Sequence, residues 1–171
     1  MLEINMSKAR LIAEMGISVA LMIVFTYLLS FTAGPIRISF SFVVLLVAGI
    51  RLGAVPAAMI AAVSDLIGGA IFYGGMFHFG ITFTATLTGF LYGLLFYKKF
   101  EMKNLVFFVI FVVIGAHLFL QSLWLMQIYN LGYLETILTR LASVATMGVI
   151  KVIFILSLAK SPWYERIAKM N

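Results

Sequence analysis

Three charged side chains, Arg37, Asp65 and Arg140, fall inside or on one side of six long apolar stretches in a 171-residue chain. An ionisable group in a hydrocarbon span costs about 2.5–3.5 kcal/mol on insertion scales, so each needs a partner or a task. A planar guanidinium holds a carboxylate through two parallel hydrogen bonds, so two arginines on one side suit capture of an anionic solute. The structural alternative has one arginine snorkelling to the interface and the other paired with Asp65. Asp65 carries the same two readings. It either accepts hydrogen bonds from the ring N–H and amino groups of a ligand, or neutralises Arg37 or Arg140.

Aromatic and amide groups surround these charges. Arg37 opens the run Arg37-Ile38-Ser39-Phe40-Ser41-Phe42, which brings Phe40 close to it. Gln121, Trp124 and Gln127 recur three apart, with His117 a turn deeper. An indole plane flanked by amides can stack on a flat heterocycle and read its edge. Trp124 reads equally as an interface anchor, and His117 as a satisfied core histidine. The stretch Tyr73-Gly74-Gly75-Met76-Phe77-His78-Phe79-Gly80 offers Tyr73, His78 and Phe79, either as a mobile lid over an outward pocket or as a loop resting its rings among headgroups. The chain has no cysteine, two histidines, and none of the motifs H-E-x-x-H, G-x-S-x-G, D-D-x-x-D or P-loop. No catalytic residue, metal or cofactor is therefore expected, and ATP hydrolysis would need other chains.

The elements that must position these groups follow from composition. Hydrophobic residues make up 64% and charged residues 11%, which excludes an ordinary soluble domain. Backbone groups in hydrocarbon must satisfy one another, so each apolar stretch is expected to be a helix. The reading is an all-α polytopic membrane protein, one compact domain over residues 1–171. Its six transmembrane helices fall near 9–33, 38–53, 55–73, 79–97, 104–129 and 134–160. Gly34-Pro35, Gly53 with Pro56, Gly74-Gly75, Lys98-Lys99 and Asn130 with Gly132 punctuate them. The first span, too long for a signal h-region, reads as a retained helix. Nine of the twelve Lys and Arg fall on one face (Lys8, Arg10, Arg51, Lys98, Lys99, Lys103, Lys160, Arg166 and Lys169), with Lys151 nearest to it. By the positive-inside rule both termini are cytoplasmic. The net charge of +6 thus reports orientation rather than nucleic acid. On the first helix Ala9, Ala13, Gly16 and Ala20 form a small-residue stripe, and Gly89-x-x-x-Gly93 forms another on the fourth. Each suits close approach of a helix, from within the chain or from a partner.

The sequence resembles the folate family of substrate-binding subunits, or S components, of energy-coupling factor (ECF) vitamin transporters. The resemblance rests on Gly34-Pro35-Ile36-Arg37-Ile38-Ser39-Phe40-Ser41-Phe42, on Ala62-Val63-Ser64-Asp65-Leu66-Ile67-Gly68, and on Leu87-Thr88-Gly89-Phe90-Leu91-Tyr92-Gly93-Leu94. It continues in Ser122-Leu123-Trp124-Leu125 and Arg140, so it covers nearly the whole chain in order. It implies a six-helix bundle in the bacterial plasma membrane that captures a water-soluble vitamin, folate first among them. The vitamin would pass to a transmembrane coupling protein, EcfT, driven by two ATPase subunits. The stripe Ala9, Ala13, Gly16, Ala20 is similar to the docking surface for that coupling protein. The sequence departs from the family pattern at Phe77-His78-Phe79-Gly80-Ile81-Thr82, which lacks the family's proline, at Gln121-Ser122 and at Leu52-Gly53-Ala54. Those departures leave pantothenate, pyridoxine or hydroxymethylpyrimidine as alternative ligands. A small membrane enzyme and an assembly subunit are the readings from other classes.

Overall fold

The computed structural model describes residues 7–33, 36–72 and 78–169; what is said of residues 32, 33, 36 and 37 concerns the backbone alone. Helix α1, Lys8–Leu28, starts where the Ser7 hydroxyl accepts a hydrogen bond from the Arg10 N–H at 3.3 Å. That bond satisfies one of the donors a helix start leaves open. Its last turns, Val24–Leu28, widen to i→i+5 spacing. The helix expected over 9–33 therefore ends five residues sooner, and the chain enters a short antiparallel ribbon. Strand β1, Phe31–Ala33, pairs with β2, Ile36–Ile38, and sets Thr32 opposite Arg37.

The remaining helices are α2 (Ser41–Leu52), α3 (Ala54–Phe72), α4 (Phe79–Phe96), α5 (Met102–Tyr129), α6 (Tyr133–Lys160) and α7 (Pro162–Lys169). Helices α1 and α3 to α6 are long and apolar enough to cross a membrane. Helix α2 has 12 residues, about 18 Å at 1.5 Å each, which is short of a full hydrocarbon core. Helix α7, absent from the sequence reading, folds back on the bundle. The exposed surface carries large apolar side chains such as Ile12, Ile17, Leu94, Val106, Leu138 and Ile153, as contact with lipid requires.

Small residues let the central helices meet backbone to backbone. A Cβ built on Gly89 would lie 2.5 Å from the Ala57 carbonyl oxygen of α3, and one on Gly49 would lie 3.0 Å from the Gly93 nitrogen. The Gly89/Gly93 patch is thus spent on internal packing. The other stripe is not: Ala9, Ala13, Gly16 and Ala20 are all exposed, and nothing lies within 4 Å of a Cβ placed on Gly16.

Beneath the helix contacts, Tyr92, Phe96 and Phe108 are fully buried, with ring centroids of Tyr92 and Phe96 at 5.0 and 5.6 Å from Phe108. The carbonyls left open at the end of α4 find side-chain donors. Asn104 Nδ2 donates to the Leu95 oxygen at 2.6 Å, and the Tyr164 hydroxyl of α7 donates to the Phe96 oxygen at 2.8 Å. Burial pushes the Tyr164 pKa up to about 12, so that hydroxyl keeps its proton.

Two helix charges matter beyond the sequence reading: Glu14, which it left aside, and Lys151, which it placed nearest the basic face. Glu14 lies in α1 and accepts from Arg51 Nη2 of α2 at 2.8 Å and from Arg10 Nε at 3.1 Å. The other charge, Lys151, belongs to the site below. If Gly89 sets the distance between α3 and α4, Gly89→Ala will cost about 1–3 kcal/mol through overpacking. Thermal unfolding in detergent should show a lowered Tm; an unchanged Tm would mean that the helices do not meet there.

Candidate functional site

A cavity of about 290 Å³ lies among α1 to α6, in the half of the bundle that carries the ribbon. That volume sits at the lower end of the range for small-molecule sites. Each helix contributes one face, and the spacings explain which. On α6, Arg140, Ser143, Met147 and Lys151 recur at three or four residues and stack into one stripe. Val113, His117 and Gln121 do the same on α5, and Ala85, Thr88 and Tyr92 on α4. Helix α3 supplies Ala61 and Asp65, and the outer turns of α1 supply Thr26 and Tyr27. Tyr27 is held in place by Phe72, stacked on it at 4.9 Å, and by Gly68, whose missing side chain leaves room for the ring.

Polar groups along one wall form a continuous chain. Arg140 donates through Nη1 to the Ser122 hydroxyl at 3.2 Å and through Nη2 to Gln121 Oε1 at 3.1 Å. The same Oε1 lies 3.3 Å from His117 Nδ1, and His117 Nε2 lies 3.1 Å from Lys151 Nζ. An ammonium only donates, so Nε2 accepts and the proton of a neutral His117 is assigned to Nδ1, which donates to Gln121. Every hydrogen bond in the chain is thereby consistent. Among the described residues neither Arg140 nor Lys151 meets a carboxylate; the ion pairs lie elsewhere, at Glu14, Glu101 and Glu165. On the opposite wall Asp65 Oδ2 accepts from the Thr82 hydroxyl at 2.6 Å and pairs with neither cation.

Of the residues singled out from sequence, Asp65, His117, Gln121 and Arg140 share this cavity. Trp124, His78, Phe79 and Phe40 do not line it. Trp124 lies over Gly80 and donates from Nε1 to the Thr84 hydroxyl at 3.0 Å. His78 sits 5.6 Å from that indole; its Nδ1 accepts from the Gly80 N–H, and its Nε2 lies 3.2 Å from Gln127 Oε1. Phe79 is 81% exposed and Phe40 is also exposed. Tyr73, with residues 74–77 of the expected lid, lies outside the described residues, as does the side chain of Arg37. Helical rotation explains the split on α5. Each step of three residues falls about 60° short of a full turn, so Trp124 and Gln127 rotate away from Gln121 toward α4.

Lys151 is the main residue that sequence reasoning misplaced. It was grouped with the basic face near the termini, yet it is 9% exposed and lines the cavity. The signal was present in its spacing from Arg140, which places both on one side of α6. Thr88 and Tyr92, singled out only within a family motif, also line the cavity.

No family model matches the chain. It is 31% identical over 151 residues to Folate transporter FolT of Clostridium novyi (strain NT), covering 88% of each chain. The chain belongs to the FolT family. Folate transporter FolT of Leuconostoc mesenteroides subsp. mesenteroides is also 31% identical, over 100 residues that span 57% of this chain and 54% of that one. Among solved structures, the crystal structure of FolT bound with folic acid superposes with a TM-score of 0.77 at 28% identity, covering 86% of this chain and 91% of that one. Membership of the FolT family makes this a multi-pass membrane transport protein rather than an enzyme, and the all-α polytopic fold agrees with the sequence reading.

The position of Trp124 yields a test. Trp124→Phe should destabilise the protein by roughly 0.5–1.5 kcal/mol through the lost hydrogen bond to Thr84, seen as a lowered Tm, while ligand affinity changes by less than about threefold. A large loss of affinity with unchanged stability would put the indole in the site.

Proposed function

We propose that this chain is the folate-binding membrane subunit of an ECF-type importer. It takes folate from the side of the ribbon and passes it to a coupling protein of the EcfT type that is driven by two ATPases. The termini then face the cytoplasm of a bacterial cell, in keeping with the basic residues gathered at that end. The observation that carries the reading is one cavity lined by two cations on α6, without carboxylate partners among the described residues, and a carboxylate on α3. An anionic vitamin with a flat, amino-bearing ring has complementary groups for both walls: carboxylates for Arg140, and ring N–H and amino groups for Asp65. The FolT relatives and the folic-acid-bound FolT structure point the same way. Arg37 is included as a second guanidinium for the carboxylates on sequence grounds alone.

Titration of the detergent-purified chain with folic acid, pantothenate, pyridoxine and hydroxymethylpyrimidine tests the ligand. Folic acid alone should bind tightly; tight binding of another of the four would reassign the site. Arg140→Ala should weaken folic acid by about 2–5 kcal/mol if a desolvated charge pair is lost, and unchanged affinity would remove Arg140 from the ligand.

For the partner, the exposed stripe Ala9, Ala13, Gly16, Ala20 is the proposed docking face. Ala13→Leu with Gly16→Leu should abolish co-purification with the coupling protein and leave folic acid binding intact. Loss of folic acid binding instead would mean that the stripe serves the chain's own packing.

A further inference from the structure

The inner end of the cavity holds polar groups that the anion-binding reading does not use. Thr88 is 4% exposed and Tyr92 is 0% exposed, both line the cavity, and among the described residues neither hydroxyl has a hydrogen-bond partner. Neighbouring hydroxyls are treated differently. Thr84 and Thr86 donate to the carbonyls four residues earlier, at 3.0 and 2.7 Å, and the buried Tyr164 donates to Phe96. Buried hydroxyls in native proteins are rarely left without partners, so two orphans on one cavity wall mark the place of a missing acceptor or donor. Lys151 lines the same cavity from α6, and Asp65 is held further out by Thr82, six residues outward of Thr88 on α4.

The chemistry of this floor is directional. Lys151 only donates, and its bond to His117 uses one of three N–H groups. The two hydroxyls have protons to offer. Asp65 across the cavity only accepts when ionised. A ring that places a carbonyl oxygen beside N–H and amino groups satisfies both walls at once. Gln121 and His117 link the heads of Arg140 and Lys151 along one wall of the cavity, so a ligand with such a ring at one end and an anionic group at the other can touch both cations.

Building on the folate reading, we propose that Lys151, with the hydroxyls of Thr88 and Tyr92, forms a floor subsite for the oxo group of the ligand's ring. Lys151 thereby sets a preference for an oxo-substituted over an amino-substituted ring. Folic acid and aminopterin are the probes: aminopterin carries an amino group where folic acid has the ring oxygen, and its neighbouring ring nitrogen loses the N–H, so the share due to Lys151 is read from the Lys151→Met variant. The wild-type chain should bind folic acid tighter by about ten- to a hundredfold, the value of a hydrogen bond to a charged donor.

In Lys151→Met, folic acid should weaken until the two ligands differ by less than about threefold, while aminopterin binds as well as before or better. Retained aminopterin binding also shows that the variant is folded. Thr88→Val and Tyr92→Phe should each narrow the preference in the same direction with Tm unchanged. A wild-type chain that binds both ligands equally, or a Lys151→Met variant that keeps the full preference, overturns the proposal and leaves the folate reading standing. A wild-type chain that binds neither ligand removes the folate reading and this subsite with it.

Discussion

A cation held inside an apolar bundle without a carboxylate beside it is the constraint on which the rest of this structure depends. Arg140 and Lys151 occupy one face of α6, and hydrogen bonds to Gln121, Ser122 and His117 support them. Those partners are neutral, so they orient the charges without cancelling them. Removing a charge from water is costly unless something compensates it, and neutral donors and acceptors compensate only in part. On the proposed reading, the ligand completes the arrangement, with carboxylates at Arg140 and a ring oxygen at Lys151. On the wall opposite, Asp65 accepts from Thr82 and, among the described residues, forms no ion pair.

The fold contributes by fixing where those walls stand. Helices α2, α3 and α4 meet through Gly49, Gly89 and Gly93 at distances that leave no room for side chains. The end of α4 is tied down by Asn104 and Tyr164. That tight core places Asp65, Thr82, Thr88 and Tyr92 on a rigid support. Across the cavity, the wide turns of α5 over Phe108–Leu120 carry His117 and end at Gln121. Widened turns of this type recur at functional sites in helices. The polar chain therefore runs along the less regular helix, and the tight packing lies behind the opposite wall.

Much of this was legible in the sequence, and the exceptions have physical causes. Helices α3, α4, α5 and α6 were readable because lipid-facing apolar runs and Gly or Lys punctuation are local signals. The ribbon was hidden because β1 continues the apolar run of the helix before it and only Gly34-Pro35 marked the break. Helix α7 was hidden because eight amphipathic residues give little periodicity. Within the site, Asp65 and Arg140 stood out by their charge alone. Lys151 did not, because counting charges by loop assigned it to the nearer membrane face instead of the helix face shared with Arg140. Trp124 stood out wrongly for the cavity. Steps of three on a helix look like one face on paper but drift by about 60° each time.

The structure of the folic acid complex tests the central claim most directly. The account predicts ligand density inside the cavity, with the ring between Asp65 and Lys151 and the carboxylates toward Arg140. Density seated outside the cavity, against Trp124 and His78, with Arg140 and Lys151 untouched, would contradict it.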